Sequence, residues 1–240
     1  MKYKSKRIQI SCDGGAATGK STGAKMISKK YKLKFLSSGL LYRYAAFLLI
    51  NYKPKEKFKF IENKFKKLNY KRLEKIKLHT PLISEQSSII AKNKKIRKIL
   101  KKFQIDFSKK YKNCCIEGRD ISTKILPNSD LKFFFVCSLS IAAKRRFSEL
   151  KRLSINLKLK DVEKAIRIRN KLDINRKHSP LLKHRNSVEI DTGLLSKQAM
   201  LAKMSGYIDE VLKKYEKWIR DKHQPSPQRV SNPIRPRFQR

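Results

Sequence analysis

Apolar residues recur in two rhythms along the chain. Short continuous runs at residues 7–12 (RIQISC), 34–36, 114–116, 131–138 (LKFFFVCS) and 188–191 are too brief for helices and predict strands buried on both faces. Between them the spacing changes to that of helices. Ala24, Ile27 and Tyr31 mark one over residues 20–32, and GLLYRYAAFLLIN marks another over 39–51. A long pattern over 84–111, uninterrupted by proline, predicts a single helix, and further helices are expected at 140–153, 161–172 and 196–219. Strands alternating with helices predict a parallel α/β sheet covered on both faces.

Two stretches break this rhythm. From residue 52 to 77 lysine dominates, interleaved with Phe, Tyr, Leu and Ile (KFKFIENKFKKLNYKRLEKI). Such alternation can serve single-stranded nucleic acid through phosphate contacts and stacking. Its helical periodicity favours an amphipathic insertion with the aromatic side chains turned inward. The last stretch, 222–240, carries Pro225, Pro227, Pro233 and Pro236 among Arg and Gln without periodicity, and is read as a disordered basic tail.

The chemistry sits where the first strand meets the first helix. Residues 13–22 read DGGAATGKST, a complete G-x-x-x-x-G-K-S phosphate loop. Gly14 and Gly19 let the backbone curl so that the N–H groups of Gly14, Gly15, Ala16, Ala17, Thr18 and Gly19 point inward at phosphate oxygens. The helix that opens at Lys20, Ser21 and Thr22 aims its positive dipole end there. Lys20 would reach the β and γ phosphates and the Ser21 hydroxyl would face Mg²⁺. The chain is therefore expected to bind a nucleoside triphosphate with Mg²⁺.

Composition sharpens this only in part. The 240 residues carry 61 Lys plus Arg against 19 Asp plus Glu, a formal charge of +42, and 40% are hydrophobic, enough for a buried core. The lysines are spread through nearly every segment, which argues for a solvated basic surface that attracts polyphosphate, with non-specific nucleic-acid contact as its by-product. Cys12, Cys114, Cys115 and Cys137 fall in or beside apolar runs without C-x-x-C spacing, and are read as buried thiols. No signal-like segment is recognised, and the longest apolar stretch, residues 45–50, is too short to cross a bilayer. A cytoplasmic protein without membrane association is expected.

Four segments in order carry a resemblance: the phosphate loop followed by FLSSGLLYR at 35–43, SSIIAKNKKIR at 87–97, EGRDIST at 117–123 before a phenylalanine-rich strand, and RNKLDINRKHSPL at 169–181. Together they resemble bacterial cytidylate kinase, a P-loop nucleoside monophosphate kinase that moves a phosphoryl group from ATP to CMP or dCMP. The resemblance implies a three-layer P-loop fold, a parallel sheet of about five strands flanked by helices, with a monophosphate-binding insertion and a lid. The kinase domain would span 1–221, with 52–87 as the insertion near the CMP site and 150–176 as the lid region. A monomer is expected.

The same resemblance distributes roles. Lys20, Arg119, Arg169 and Arg176 would neutralise the transferring phosphoryl group, a reaction that depends mainly on positioning and charge. Arg43 and Arg119 would grip the acceptor phosphate. Asp120 would accept from the exocyclic amino group of cytosine, with Arg97 and Ser88 at the O2 and N3 edge. Ser38, Arg169 and Asp173 fall on the ribose side, and Arg145, with Arg146, lies on the helix entering the lid over ATP. The histidines His79, His178, His184 and His223 receive no catalytic role.

Several positions depart from the family pattern. Ser37 and Glu117 stand where Asp is usual, Ser122 where Gly is common, and Asn170 replaces an acid. Leu172 and Ile174 occupy positions where arginine is usual. The insertion lacks the Gly-containing hairpin of the family and is expected to be mostly helical. Two other readings keep the loop but change its use. One is a related small-substrate kinase, and the other is a degenerate P-loop protein that binds nucleic acid.

Overall fold

The computed structural model describes residues 7–223. Its centre is a five-stranded parallel sheet in the order β2-β3-β1-β4-β5. The strands are β1 (Gln9–Gly14), β2 (Lys34–Ser37), β3 (Cys114–Gly118), β4 (Leu131–Val136) and β5 (Val188–Asp191). The helices are α1 (Lys20–Lys30), α2 (Ser38–Tyr52), α3 (Lys57–Lys66), α4 (Pro81–Ile90), α5 (Lys94–Lys110), α6 (Leu139–Arg152), α7 (Leu159–Asn175) and α8 (Lys197–His223). The three-layer α/β architecture expected from the alternation is the one observed.

Alternation along each strand assigns the two faces. Ile10 and Cys12 of β1, Cys115 of β3, and Phe133 and Phe135 of β4 pack with Ala24 and Ile27 of α1 and Met200, Met204 and Ile208 of α8. Leu36, Cys114 and Ile116 turn the other way, onto Leu41, Ala45 and Leu48 of α2, Ile61 and Phe65 of α3, and Ile96 and Leu100 of α5. A third cluster joins α6 and α7 to the phosphate loop through Ala16, Ala142, Ala143, Leu150, Val162 and Ile166. All four cysteines are free, three buried and Cys137 half-buried, and the Cys12 and Cys115 sulfurs lie 3.7 Å apart.

The single helix expected over 84–111 is two. Thr80 caps α4 by accepting from the Ile83 N–H, with Pro81 in its first turn. The chain then turns after Ile90, and Asn93 starts α5 by accepting from the N–H groups of Lys95 and Ile96. Continuous apolar periodicity concealed the break because Asn93 is a cap, not a proline. The insertion is helical as expected: α3 buries Ile61 and Phe65 and a 3₁₀ turn follows at Tyr70–Lys75. Lys64 lies 5.2 Å from the Tyr52 ring centroid and 5.4 Å from that of Phe60, so the interleaved lysines and aromatics contact one another. Of the tail expected over 222–240, Lys222 and His223 instead continue α8, and the rest lies outside the described residues.

Because every strand is parallel, their carboxyl ends share one edge, where ligands bind in open α/β sheets. In register there, Ser37 of β2 faces Glu117 of β3, and Asp13 of β1 faces Gly118.

Candidate active site

The phosphate loop joins the central strand to α1 at that edge. Gly14 has φ +155°, and a β-carbon there would lie 2.5 Å from the Phe135 carbonyl oxygen. Gly19 has φ +82° and caps α1 without any side-chain acceptor, leaving the first-turn N–H groups facing the loop. Ala17 also takes a positive φ, 56°. Ser21 and Thr22 are exposed in the first turn of α1.

Lys20 is buried, and its ammonium donates to the Gly15 carbonyl at 3.0 Å. Burial, then the nearby Arg119 and Arg169, push its pKa down to about 7, against the opposing pull of Glu117 and Asp173. The Thr18 hydroxyl donates to the same carbonyl at 3.1 Å. The Ala16 N–H donates to Asn170 Oδ1 of α7 at 2.9 Å.

Asp13 fixes the loop to the acceptor segment. Its Oδ1 accepts from the Ile121 N–H at 2.8 Å, and its Oδ2 accepts from the Ser122 N–H and hydroxyl at 2.7 and 2.6 Å. Burial raises its pKa to about 6 despite these bonds. The single π turn at Ile121–Ile125 therefore hangs from the strand that leads into the phosphate loop. Ser122, unusual in this motif, uses its hydroxyl on that carboxylate. Ser37 and Glu117 compensate each other in the same way: the Ser37 hydroxyl donates to the Glu117 carboxylate.

Beyond the loop, charged side chains from three segments form one chain. Arg97 of α5 pairs with Asp120 Oδ2, donates to the Ala91 carbonyl at 3.1 Å, and lies 5.6 Å from the Tyr42 ring centroid. Arg176 lies 3.8 Å from Asp120 Oδ1 and 3.3 Å from Asp173 Oδ1. Asp173 Oδ2 accepts from Arg119 Nε at 2.8 Å. Burial alone would raise the Asp173 carboxyl, but Arg119, Arg169 and Arg176 together hold it below its ordinary range. Arg176 also lines a cleft of 310 Å³ with Lys92, Leu172 and His178.

Arg43 and Arg169 converge without such pairing. The Nε atoms of Arg43 and Arg169 are buried and find no hydrogen-bond partner among the described residues. Burial, then neighbouring arginines, lower the Arg43 pKa to about 9 and that of Arg169 to about 10. Arg146 joins them from α6, donating to the His79 carbonyl at 3.3 Å and to Glu149 at 3.1 Å. Desolvation by the surrounding protein, then Arg43 and Arg146, push the His79 imidazole down to about 4, although the residue keeps an exposed face. Lys20, Arg43, Arg119, Arg146 and Arg169 thus face a shared space with Glu117 as counter-charge, an arrangement suited to phosphates.

Arg43→Met is expected to stabilise the ligand-free protein, because it removes a buried cation among like charges. If Arg43 grips the acceptor phosphate, as the resemblance implies, the same change should weaken CMP binding by about tenfold or more through loss of a charge-assisted bond. Thermal melts with and without CMP, together with a CMP titration, check both signs.

Two sequence-derived positions sit differently from the rest. The Ser88 hydroxyl donates to the Ser84 carbonyl within α4 at 3.1 Å and is not joined to the Arg97–Asp120 pair. Arg145 donates to the Thr192 hydroxyl and carbonyl at 2.8 and 2.7 Å, and Thr192 in turn donates to the Thr18 carbonyl at 2.8 Å. Ser38 is buried at the start of α2, beside Gly118. Asp13, Asn170, Thr192 and His79 were not among the expected site residues. Asp13, a carboxylate closing a buried strand directly before the loop, and Asn170, standing where an acid is usual, had sequence signals; Thr192 and His79 had none.

The sequence pattern of the cytidylate kinase family matches residues 10–210 of this chain. A cytidylate kinase of Clostridium botulinum (strain Okra / Type B1) is 34% identical over 213 residues, covering 84% of this chain and 97% of that protein. A cytidylate kinase of Bartonella tribocorum is 34% identical over 209 residues, covering 87% of this chain and 97% of its own. Among solved structures, an uncharacterized protein from Eubacterium ventriosum superposes with a TM-score of 0.51 at 17% identity, over 85% of this chain and 99% of its own, a likeness of fold.

Proposed function

The chain belongs to the cytidylate kinase family, and from that premise we propose that the residues gathered between the phosphate loop and α7 transfer the γ-phosphoryl group of ATP to CMP and dCMP. The observation that carries this reading is the Arg97–Asp120–Arg176–Asp173–Arg119 chain lying beside Lys20 and the phosphate loop. An oxygen of the CMP phosphate attacks the γ-phosphorus, the bond from that phosphorus to the β–γ bridging oxygen breaks, and CDP and ADP result. No strong base is required, because the attacking group is already an anion.

Each end of the acceptor has a partner. Asp120 keeps lone pairs beyond those facing Arg97 and Arg176, enough to accept from the N4 amino group of cytosine. Arg97 presents donors toward O2 and N3, and Ser88 joins them by turning from Ser84. Uracil offers no N4 donor, and a buried carboxylate left without one penalises it. Arg43 and Arg119 hold the acceptor phosphate, Ser38, Arg169 and Asp173 the ribose side, and Lys20, Arg169 and Arg176 the transferring group. Arg145 acts on the ATP side by holding Thr192 against Thr18.

The loop suits Mg²⁺ that arrives with the triphosphate. Ser21 supplies an exposed hydroxyl, and the described residues hold no cluster of three or more acidic, His or Cys side chains that would cage an ion. That donor set fits a cation that keeps several waters and takes its remaining ligands from substrate phosphates. Bound there, Mg²⁺ would neutralise charge on the β and γ oxygens.

Residues 150–176 would close as the lid over ATP, and 52–87 would flank the CMP site, within one domain spanning 1–221. No helix among the described residues is long and apolar enough to cross a membrane. A cytoplasmic monomer using the free nucleotide pool fits this reading. Family membership disfavours the small-substrate and nucleic-acid alternatives.

A panel of CMP, dCMP, UMP and AMP with ATP and Mg²⁺ tests the acceptor. CMP and dCMP are expected to exceed UMP in kcat/KM by about a hundredfold or more, as hydrogen-bond-based sites allow. Equal use of UMP would overturn the assignment of Asp120.

A further inference from the structure

Three donors of the phosphate loop are already engaged, and one engagement comes from outside it. Lys20 and Thr18 both turn to the Gly15 carbonyl, whereas the Ala16 N–H is met by Asn170 Oδ1 of α7, 2.9 Å away and 154 positions along the chain. A β-carbon on Gly15 would lie 3.2 Å from that oxygen and 3.4 Å from the amide nitrogen, so the carboxamide lies directly against the loop. A loop of inward-pointing N–H groups is built for anionic oxygen. Asn170 supplies an uncharged oxygen in its stead.

We propose that Asn170 is a resident stand-in for a phosphate oxygen, which the triphosphate must displace, and that this residue thereby sets the affinity for ATP. The inference rests on reading residues 14–22 as the ATP site. The chemistry of the side chain suits that role. A carboxamide satisfies the loop N–H without adding charge, so it holds the empty loop in shape and yields to a phosphate, which makes a stronger, charge-assisted bond. A carboxylate at the same place would bind the N–H and the neighbouring Lys20 and Arg169 more firmly and would also repel the incoming anion. Asn170 and Asp173 lie three residues apart on one face of α7, so displacement of the first is felt by the helix that pairs Asp173 with Arg119.

The test is titration of the full-length protein with ATP and Mg²⁺, by calorimetry, for the wild type, Asn170→Ala and Asn170→Asp, with thermal melts of each in the absence of nucleotide. Removing the competing bond is expected to tighten ATP binding about three- to tenfold in Asn170→Ala, the range set by the net worth of one hydrogen bond. Asn170→Asp is expected to bind ATP about tenfold or more weakly. The nucleotide-free melting temperature should run the opposite way, lowest for Asn170→Ala and highest for Asn170→Asp. A merely structural contact would lower the melting temperature without tightening ATP, and a direct phosphate ligand would lose affinity in Asn170→Ala; either result overturns the proposal. The aspartate variant keeps the side-chain shape, so its arm decides the ordering even if Asn170→Ala melts early. CMP is absent from the experiment, so an error in the acceptor assignment would leave this result standing, whereas a wild type that binds no ATP would overturn both.

Discussion

Asp120→Asn should lower kcat/KM for CMP by about a hundredfold or more while leaving the dissociation constant for ATP within about twofold, because polar sites discriminate through partners left unpaired. Asp120 is buried between two guanidinium groups, paired with Arg97 and 3.8 Å from Arg176. An amide of the same shape removes the charge that both face. It also presents a donor on one side, which opposes the N4 amino group of cytosine and suits the O4 carbonyl of uracil. CMP should therefore lose more than UMP, and the ratio between the two acceptors should narrow. The fold is weakened as well: two buried cations lose their common counter-charge, a change of about 3 kcal/mol in unfolding free energy by analogy with other broken buried pairs. Chemical denaturation measures that loss, and steady-state kinetics with CMP and UMP measures the selectivity. Equal losses for both acceptors would mean that Asp120 supports the site without reading the base.

The second large effect concerns the charge on Lys20. In the ligand-free protein its pKa is pushed down to about 7, first by burial and then by Arg119 and Arg169. ATP phosphates replace that environment with negative charge and return the proton. At pH 8, binding of ATP is expected to take up about 0.9 proton, falling toward zero below pH 6, where the lysine is already charged. Calorimetric titration in two buffers of different ionisation enthalpy measures the uptake. Stability has the matching sign. The unfolded lysine keeps its proton up to its ordinary value of 10.5, whereas the folded one releases it near 7. Between those values the unfolded state binds more protons, so the ligand-free protein should gain stability as pH rises through that window. The ATP-bound protein should not. ATP uptake of no proton at pH 8 would show that Lys20 is charged before the nucleotide arrives.

The strands and the phosphate loop were legible in sequence because their causes are local. Five short apolar runs became the five strands, and the spacing of Gly14, Gly19 and Lys20 survives as the loop itself. What the sequence concealed depends on approach between distant segments. Nothing near Asn170 announces that its side chain meets Ala16, and nothing near Arg145 announces Thr192. Two departures that looked independent, Ser37 and Glu117, prove paired, and a third, Ser122, is met by Asp13. Each is a substitution whose partner lies on another strand or turn. The helix break before Asn93 was hidden for the opposite reason, since apolar periodicity continued through a capping residue that leaves little mark on hydropathy. Arg43 of α2 and Arg146 of α6 bring positive charge to the neighbourhood of Arg169 of α7, whereas Ile174, where arginine is usual, is exposed.

In the proposed reaction, one site joins the phosphate loop to a cytidine acceptor pocket. Initial rates of CMP-dependent ADP formation, compared between the wild type and Lys20→Ala at saturating ATP, Mg²⁺ and CMP, test it most directly. The wild type should turn over and Lys20→Ala should be slower by about a thousandfold, the scale of losing one electrostatic contact to a transition state. Undiminished CMP-dependent turnover in Lys20→Ala, or none in the wild type, would contradict it.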